Sequence, residues 1–264
     1  MSTIFDSRNF IQVTSPVADQ VSEAEFARTL GLPGVHAINN HLQILMNQAR
    51  KIFEEISKHW IHTQAIKISA ITDDKICFAN GIDFTCELLA QRLHKAGAHM
   101  IVMAAVSLGP EIVEHCNMLW EEDKPDEAFV LDSLGTNVVE QLTLRMGIQL
   151  CKWGEPLGMA ALPHYSPGYT GWDVREHFLI FPMLEEEKPF PKPLEVLESG
   201  MLKPKKSQVS IFGITRYANR IERAPSLCPC VDCSLKDCAY RRVPQKGLNA
   251  KLMEKRFRKN RIKK

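Results

Sequence analysis

The 264-residue chain has 45% hydrophobic and 24% charged residues and a formal net charge of +2. This length allows one large domain or two small ones, with an apolar core that needs no disulfides. No apolar run is long enough to span a bilayer, and residues 1–19 lack the basic start and apolar stretch of a secretory signal. We therefore expect a cytoplasmic protein without a membrane partner.

The charge is distributed unevenly along the chain. Residues 241–264 contain eleven Lys or Arg and the single acid Glu254, so this tail carries about +10 and the rest of the chain about −8. A basic run of this kind binds nucleic acid or an acidic surface, or is simply solvated. Because the body is acidic and contains no recognisable reading element, we do not expect a nucleic acid partner.

Two helices are predicted near the N-terminus. Ser22 and Glu25 resemble a capping box, and Gly31 ends the short apolar pattern that follows them. Over residues 37–57, apolar side chains recur every three or four positions, which predicts a longer amphipathic helix.

A hairpin and a third helix come next. Residues 65–71 alternate as a strand, 72–74 have turn chemistry, and 75–78 form the returning strand. Residues 83–96 predict a helix, with Gly97 as its stop.

The second half of the chain contains long helical patterns and two further strands. Residues 99–106 predict a buried strand, 111–120 a helix opened by Pro110, and 126–153 a long helix with one apolar stripe.

Residues 156–171 predict a connection rich in Pro and Gly, 174–184 a helix and 208–217 a strand. The Pro-rich run 188–193 is either a hinge or an ordered surface loop. Strands and helices are not regularly interleaved, so the pattern predicts an α+β fold and not a doubly wound parallel sheet.

Four of the eight cysteines lie within eleven positions, namely Cys228, Cys230, Cys233 and Cys238. Several thiolates that converge on one point can hold zinc or an iron-sulfur cluster. The Cys-x-Cys start differs from the paired Cys-x-x-Cys of ordinary zinc modules, which favours a four-iron cluster over zinc. The alternatives without metal are reduced cysteines in a surface loop or a redox disulfide pair.

A second candidate site is a tight turn between aromatic residues. It comprises His164, Tyr165, Ser166, Pro167, Gly168 and Tyr169. A Pro-Gly turn exposes backbone amides and carbonyls, which can bind an adenine or amino-acid moiety beside an aromatic ring. Trp172, close behind, either stacks on a ligand or packs on its own helix.

Several short motifs occur together in a specific order. They are Arg-Thr-Leu-Gly at 28–31, Ser-Leu-Gly at 107–109, Leu-Asp-Ser-Leu-Gly at 131–135, the turn at 165–169, Gly-Met-Leu-Lys-Pro-Lys-Lys-Ser at 200–207, Phe-Gly at 212–213 and the cysteine cluster running into 240–241. In order and spacing the chain beyond Val21 resembles the reactivation domain of cobalamin-dependent methionine synthase, and more closely its free-standing relatives in anaerobic bacteria.

The resemblance implies long helices packed around a mainly antiparallel sheet. It divides the chain into an extended segment (1–21), the α+β domain (22–220), a cysteine-rich metal-binding segment (221–242) and a basic tail (243–264). It also implies that the turn binds S-adenosylmethionine, with Glu140 as the acid that faces the ligand. By helical periodicity Glu140 lies opposite the apolar stripe, so a solvated carboxylate is the alternative.

One position departs from the family pattern. The family usually has an arginine five residues before the loop tyrosine, whereas this chain has His164. A neutral imidazole does not replace a guanidinium that binds a carboxylate through two hydrogen bonds. His164 is either part of a modified site or an ordinary surface histidine.

The resemblance therefore implies a methyltransferase-associated protein that reductively reactivates a cobalamin-dependent enzyme. Its partners would be a corrinoid protein and an electron donor such as ferredoxin or flavodoxin, and cobalamin would be brought by the partner. The alternative is an iron-sulfur electron-transfer or corrinoid-binding adaptor that binds no methyl donor.

Overall fold

The computed structural model describes residues 17–220. The helices in this range are α1 (Glu23–Thr29), α2 (Asn40–Ile56), α3 (Glu87–Ala96), α4 (Glu111–Glu121), α5 (Pro125–Gly154) and α6 (His177–Glu185). The strands are β1 (Trp60–Ile71), β2 (Lys75–Phe78), β3 (Asp83–Thr85), β4 (Ala98–Ser107), β5 (Ala160–Ala161), β6 (Glu195–Val196), β7 (Leu202–Lys203) and β8 (Ser207–Thr215).

Six of the described strands form one sheet in the order β3-β2-β1-β4-β8-β5, and β6 and β7 form a separate ribbon. All the described pairs of neighbouring strands are antiparallel. At the centre of the sheet, Ala104 lies opposite Thr63 of β1 and Ser210 of β8. This architecture confirms the predicted α+β fold with a mainly antiparallel sheet.

Helices cover both faces of the sheet. On β4, Ile101 and Met103 belong to the core beneath α3 and α6, whereas Val102 and Ala104 pack with residues of α5. Because successive side chains of a strand point to opposite faces, one strand contributes to two separate cores. A strand buried on both sides needs a continuous apolar run, which is the pattern that predicted β4 from the sequence.

Local capping groups set several helix ends where the sequence predicts them. The hydroxyl of Ser22 accepts a hydrogen bond of 3.3 Å from the Glu25 amide at the start of α1. Gly97 ends α3 in the left-handed conformation, with φ of 62°.

The predicted helix over residues 83–96 is wrong in its first turn. Residues Asp83–Thr85 form β3, and α3 begins only at Glu87. Phe84 is fully buried in this strand, opposite Ile76, and its ring centroid lies 4.8 Å from that of Phe78. Pairing with β2 buries this aromatic side chain better than one more helical turn would, and local periodicity carries no information about that pairing.

A buried lysine joins the start of β8 to α5. Lys206 is only 6% exposed, and its Nζ lies 2.9 Å from Asp132 Oδ2 and donates to Thr136 Oγ1 at 2.8 Å. Burial lowers the pKa of Lys206, while the hydrogen bond and charge of Asp132 oppose that shift. The motifs at 131–135 and 200–207 therefore meet in space, at a contact that holds the sheet against its longest helix.

The Pro-rich run 188–193 is an ordered surface loop in this structure. The ring of Phe190 stacks on Trp60 at 5.6 Å between centroids, and Lys192 Nζ lies 2.7 Å from Glu111 Oε1. An open surface pocket of about 330 Å³ is lined by this loop together with Glu185 and Glu195. None of residues 164–169 lines it, so this pocket is separate from the predicted binding turn.

The described part of the chain begins with buried residues. Val17 and Val21 belong to the same apolar cluster as Met46 of α2. Within 17–220, no helix combines the length and apolar character needed to cross a membrane.

Candidate functional site

The connection after α5 starts as the edge of the sheet. β5 pairs with the end of β8, the Leu162 amide donates to the Gly213 carbonyl at 2.7 Å, and Tyr165 and Ile211 exchange backbone hydrogen bonds of 3.0 and 2.8 Å. The predicted connection therefore contains a short strand that the sequence pattern did not indicate. The free edge of β8 needs hydrogen-bond partners, which the sequence pattern does not reveal.

One side of this edge is apolar and densely packed. The rings of Tyr165 and Trp172 are stacked with centroids 6.1 Å apart, and Trp172 lies 6.0 Å from Phe84. Trp172 is only 2% exposed, so it packs against its own domain and does not form a ligand platform. The guanidinium of Arg92 lies 4.8 Å from the Tyr165 ring centroid on this side of the sheet.

The turn is closed by its own backbone. The Gly168 amide donates to the Trp172 carbonyl at 3.0 Å, and the Tyr169 amide donates to the Ser166 carbonyl at 3.0 Å. Gly168 has φ of 88°, a conformation that L side chains rarely adopt. Pro167 is buried, whereas Gly168 is exposed and Tyr169 half-buried. The turn thus presents the Gly168 backbone and the Tyr169 ring at the surface.

The other side of the edge is polar. The hydroxyls of Ser166 and Ser210 lie 2.9 Å apart, and Gln208 Nε2 donates to both Ser166 Oγ and the Tyr169 hydroxyl at 3.2 Å. The hydroxyl of Thr143 on α5 donates to Gln208 Oε1 at 3.3 Å. The polar side chains therefore connect the turn, the sheet and α5.

His164 occupies the position at which the family pattern has an arginine. It is only 5% exposed, and its Nε2 lies 3.3 Å from the Tyr169 hydroxyl. Its ring also packs on Phe212 at 5.8 Å between centroids. His164 is therefore not a surface histidine, and its ring lies between Tyr169 and Phe212.

Glu140 belongs to a network between α5 and α1. Its Oε2 lies 3.0 Å from Arg28 Nη2, which also lies 2.7 Å from Glu25 Oε2 and donates to Asn137 Oδ1 at 3.3 Å. Burial alone would lower the pKa of Arg28, but hydrogen bonds and charges from Glu25 and Glu140 outweigh it and raise that pKa. The Glu140 side chain is 31% exposed, so it is a partly accessible member of an ion-pair network and not a fully solvated carboxylate.

Glu140 lies on the same helix as Thr143, one turn towards its N-terminus. Because Thr143 contacts Gln208, which in turn holds Tyr169, α5 forms a wall beside the turn. The resemblance assigns Glu140, Gly168 and Tyr169 to one ligand, and we call these three residues the turn site.

The predicted metal ligands Cys228, Cys230, Cys233 and Cys238 and the basic tail lie outside the described residues. Within 17–220, no group of three or more His, Cys, Asp or Glu side chains is arranged to hold a metal ion. The cysteines of this range are free thiols, namely Cys77, Cys86, Cys116 and Cys151.

Comparison with solved structures finds a similar protein. The chain matches a structure described as the MetH reactivation domain bound to AdoHcy, with a TM-score of 0.56 and 13% sequence identity. The match covers 78% of this chain and 76% of that one. The chain has the fold of the MetH reactivation domain. This confirms the resemblance at the level of the fold. No protein-family model and no curated protein matches the sequence.

Sequence reasoning gave no role at the site to three residues: Thr143, Gln208 and Arg28, the last of which it quoted only as part of a motif. A signal for Gln208 was present, because Gln208 and Ser210 alternate with the apolar Val209 and Ile211 and so form a polar stripe on one face of β8. In a strand buried on both sides, polar side chains need hydrogen-bond partners, which makes such a stripe a pointer to a site.

Proposed function

We propose that this chain is an accessory protein for the reductive reactivation of a cobalamin-dependent methyltransferase of the methionine synthase type, and that it binds S-adenosylmethionine at the turn site. The observation that carries the proposal is the shared fold with a MetH reactivation domain that holds AdoHcy. In this chain, the turn that the resemblance assigns to the ligand presents its glycine and tyrosine beside α5.

The residues of the turn site suit such a ligand. Gly168 is exposed, so a ligand can approach the backbone closely there, and the half-buried Tyr169 ring offers an apolar surface for the adenine or the methionine chain. The carboxylate of Glu140 would favour the positive sulfonium and ammonium groups of S-adenosylmethionine. The methyl donor and the cobalamin of the partner supply the chemistry, and this chain binds and orients the donor.

Titration calorimetry with S-adenosylmethionine and AdoHcy tests the proposal, in the absence and in the presence of a corrinoid protein. We expect both ligands to bind, and ATP, which shares the adenosine but carries the opposite charge, to bind at least tenfold more weakly. A functional arm follows cobalamin absorbance during reduction by ferredoxin or flavodoxin, where methylcobalamin should form only with the chain and the methyl donor together. Absence of binding in all arms would overturn the proposal.

The geometry of His164 favours a second candidate, an iron-sulfur or corrinoid-binding adaptor that binds no methyl donor. His164 is buried against Phe212 and bonded to Tyr169, so the turn lacks the guanidinium that the resemblance associates with the donor's carboxylate. This candidate retains the corrinoid partner and assigns the electron-transfer role to the cysteine-rich segment.

Metal analysis and the ultraviolet-visible spectrum of protein purified without oxygen test this second candidate. Iron and sulfide together with broad visible absorbance would support it, whereas one zinc per chain would indicate a structural site. Cys233→Ser should abolish metal binding, and Cys151→Ser, which changes a free thiol of the described domain, should not.

A further inference from the structure

Both the nitrogen and the oxygen of the Gln208 side-chain amide are hydrogen-bonded. Its Nε2 donates to Ser166 Oγ and to the Tyr169 hydroxyl, each at 3.2 Å, and its Oε1 accepts from Thr143 at 3.3 Å. The backbone of Gln208 lies in β8 opposite Val106 of the central strand. The amide therefore extends from a strand paired with the centre of the sheet to the turn and to α5.

The residues around this amide are themselves constrained. Thr143 is fully buried and also lies within hydrogen-bond distance of the Val139 carbonyl, at 3.0 Å. Ser166 is buried and bonded to Ser210 in the same strand as Gln208. The half-buried Tyr169 is thus the most exposed of the side chains bonded to this amide, and its hydroxyl is held by Gln208 from one direction and His164 from another.

We propose that Gln208 is a positioning residue of the turn site, which holds the Tyr169 ring at a defined distance from the α5 wall. The turn closes through its own backbone, and the Tyr169 ring packs edge-on against Tyr165 at 5.4 Å between centroids, while the amide of Gln208 bonds its hydroxyl. Where the ring points decides whether a ligand contacts Tyr169 and Glu140 at the same time. The statement about the ligand rests on the proposed function, whereas the statement about Tyr169 does not.

Glutamine suits this position for chemical reasons. An amide offers a donor to the turn and an acceptor to α5 without adding a charge, so it can serve both sides within a buried environment. A glutamate would place a second negative charge on the same side of the sheet as Glu140, and an apolar side chain of similar length would leave the Thr143 and Ser166 hydroxyls without this partner.

A double-mutant cycle on AdoHcy affinity tests the proposal. Gln208→Met and Tyr169→Phe should each weaken binding about fivefold, a loss typical of one neutral hydrogen bond. If Gln208 acts through the Tyr169 hydroxyl, the double variant should bind no more than about twofold worse than either single variant. A double variant that binds about 25-fold worse than the unchanged protein, which is the product of two independent losses, would overturn the proposal.

Ser210→Ala is the control, because it removes the bond from Ser210 to Ser166 and leaves the bonds of Tyr169 with His164 and Gln208 in place. Its AdoHcy affinity should stay within about twofold of that of the unchanged protein.

Amide hydrogen exchange of the ligand-free protein provides a readout that does not depend on the proposed function. Gln208→Met should raise exchange at least about tenfold at the Gly168 and Tyr169 amides, while protection in β4 stays unchanged. If AdoHcy does not bind even to the unchanged protein, the proposed function fails and exchange alone decides the positioning role. Equal protection of the Gly168 and Tyr169 amides in Gln208→Met and in the unchanged protein would overturn the positioning role of Gln208. Should Gln208→Met not fold, Thr143→Val removes the same anchor from the side of α5 and is judged by the same two measurements.

Discussion

The two sides of the sheet edge at residues 160–172 differ in the interactions that hold them. On one side Tyr165 and Trp172 are buried in a stacked aromatic pair. On the other side the side chain of Gln208 bonds with Ser166 and with the hydroxyl of Tyr169, whose ring packs edge-on against Tyr165 and extends to the surface. Burying an aromatic side chain contributes more to stability than one hydrogen bond between neutral groups. The aromatic side therefore anchors the turn, and the polar side is where we propose that the ligand binds.

The largest effect that tests this comparison is on stability. Trp172→Ala should lower the free energy of unfolding by about 3–5 kcal/mol, because it removes a buried indole and leaves a cavity. Trp120→Ala is the matched control, since Trp120 is 57% exposed at the end of α4 and should cost less than about 0.5 kcal/mol. Urea unfolding of both variants measures the difference. Equal costs would show that the aromatic pair is not an anchor.

The next effect is on binding and concerns charge. Glu140→Gln should weaken S-adenosylmethionine binding about tenfold, equivalent to about 1.4 kcal/mol, and AdoHcy binding less, because AdoHcy lacks the sulfonium charge. Glu25→Gln changes the other carboxylate paired with Arg28 and should leave both affinities unchanged. Calorimetry on the two variants separates a role in binding from a role in the ion-pair network. Equal losses from both substitutions would remove Glu140 from the turn site.

Two tyrosines allow a direct comparison of the two sides with the same substitution. The Tyr165 hydroxyl donates to the Thr170 carbonyl, whereas the Tyr169 hydroxyl bonds to His164 and Gln208. Tyr165→Phe should lower the free energy of unfolding by about 1 kcal/mol and leave AdoHcy affinity intact. Tyr169→Phe should weaken AdoHcy binding about fivefold, with the smaller effect on stability. The reverse pattern in urea unfolding and calorimetry would contradict the division between anchor and site.

The smallest expected effect is a pH dependence of stability that arises from His177, which lies in α6 over the aromatic side of the sheet. Burial lowers the pKa of His177 below its ordinary 6.5, and hydrogen bonds to Gly200 and Val174 oppose that shift. As the pH falls through 6.5, the unfolded chain takes up a proton that the folded protein excludes, so stability present above this pH is progressively lost. His177→Asn should flatten the fall in melting temperature between about pH 7 and 5.5, whereas the same change at the exposed His41 should not. An unchanged slope in His177→Asn would mean that other groups cause the acid destabilisation.

Local signals predicted the parts of the fold that depend on neighbours in sequence. The capping group at Ser22, the stop at Gly97 and the continuous apolar run of β4 each depend on residues within one or two turns of chain. The start of α3 was mispredicted because Phe84 owes its conformation to Ile76 in another strand. Pairing across the sheet overrides a weak helical preference whenever it buries a large side chain.

The residues of the turn site divide in the same way. The sequence by itself determined that a Pro-Gly turn follows the long helix, because glycine and proline restrict the backbone locally. Only the tertiary structure decided what this turn contacts. Thr143 and Gln208 are 65 residues apart in sequence, and Arg28 and Glu140 are 112 apart. Such hydrogen bonds and ion pairs form only when helices and strands pack together, and a one-dimensional pattern does not encode the distance between packed elements.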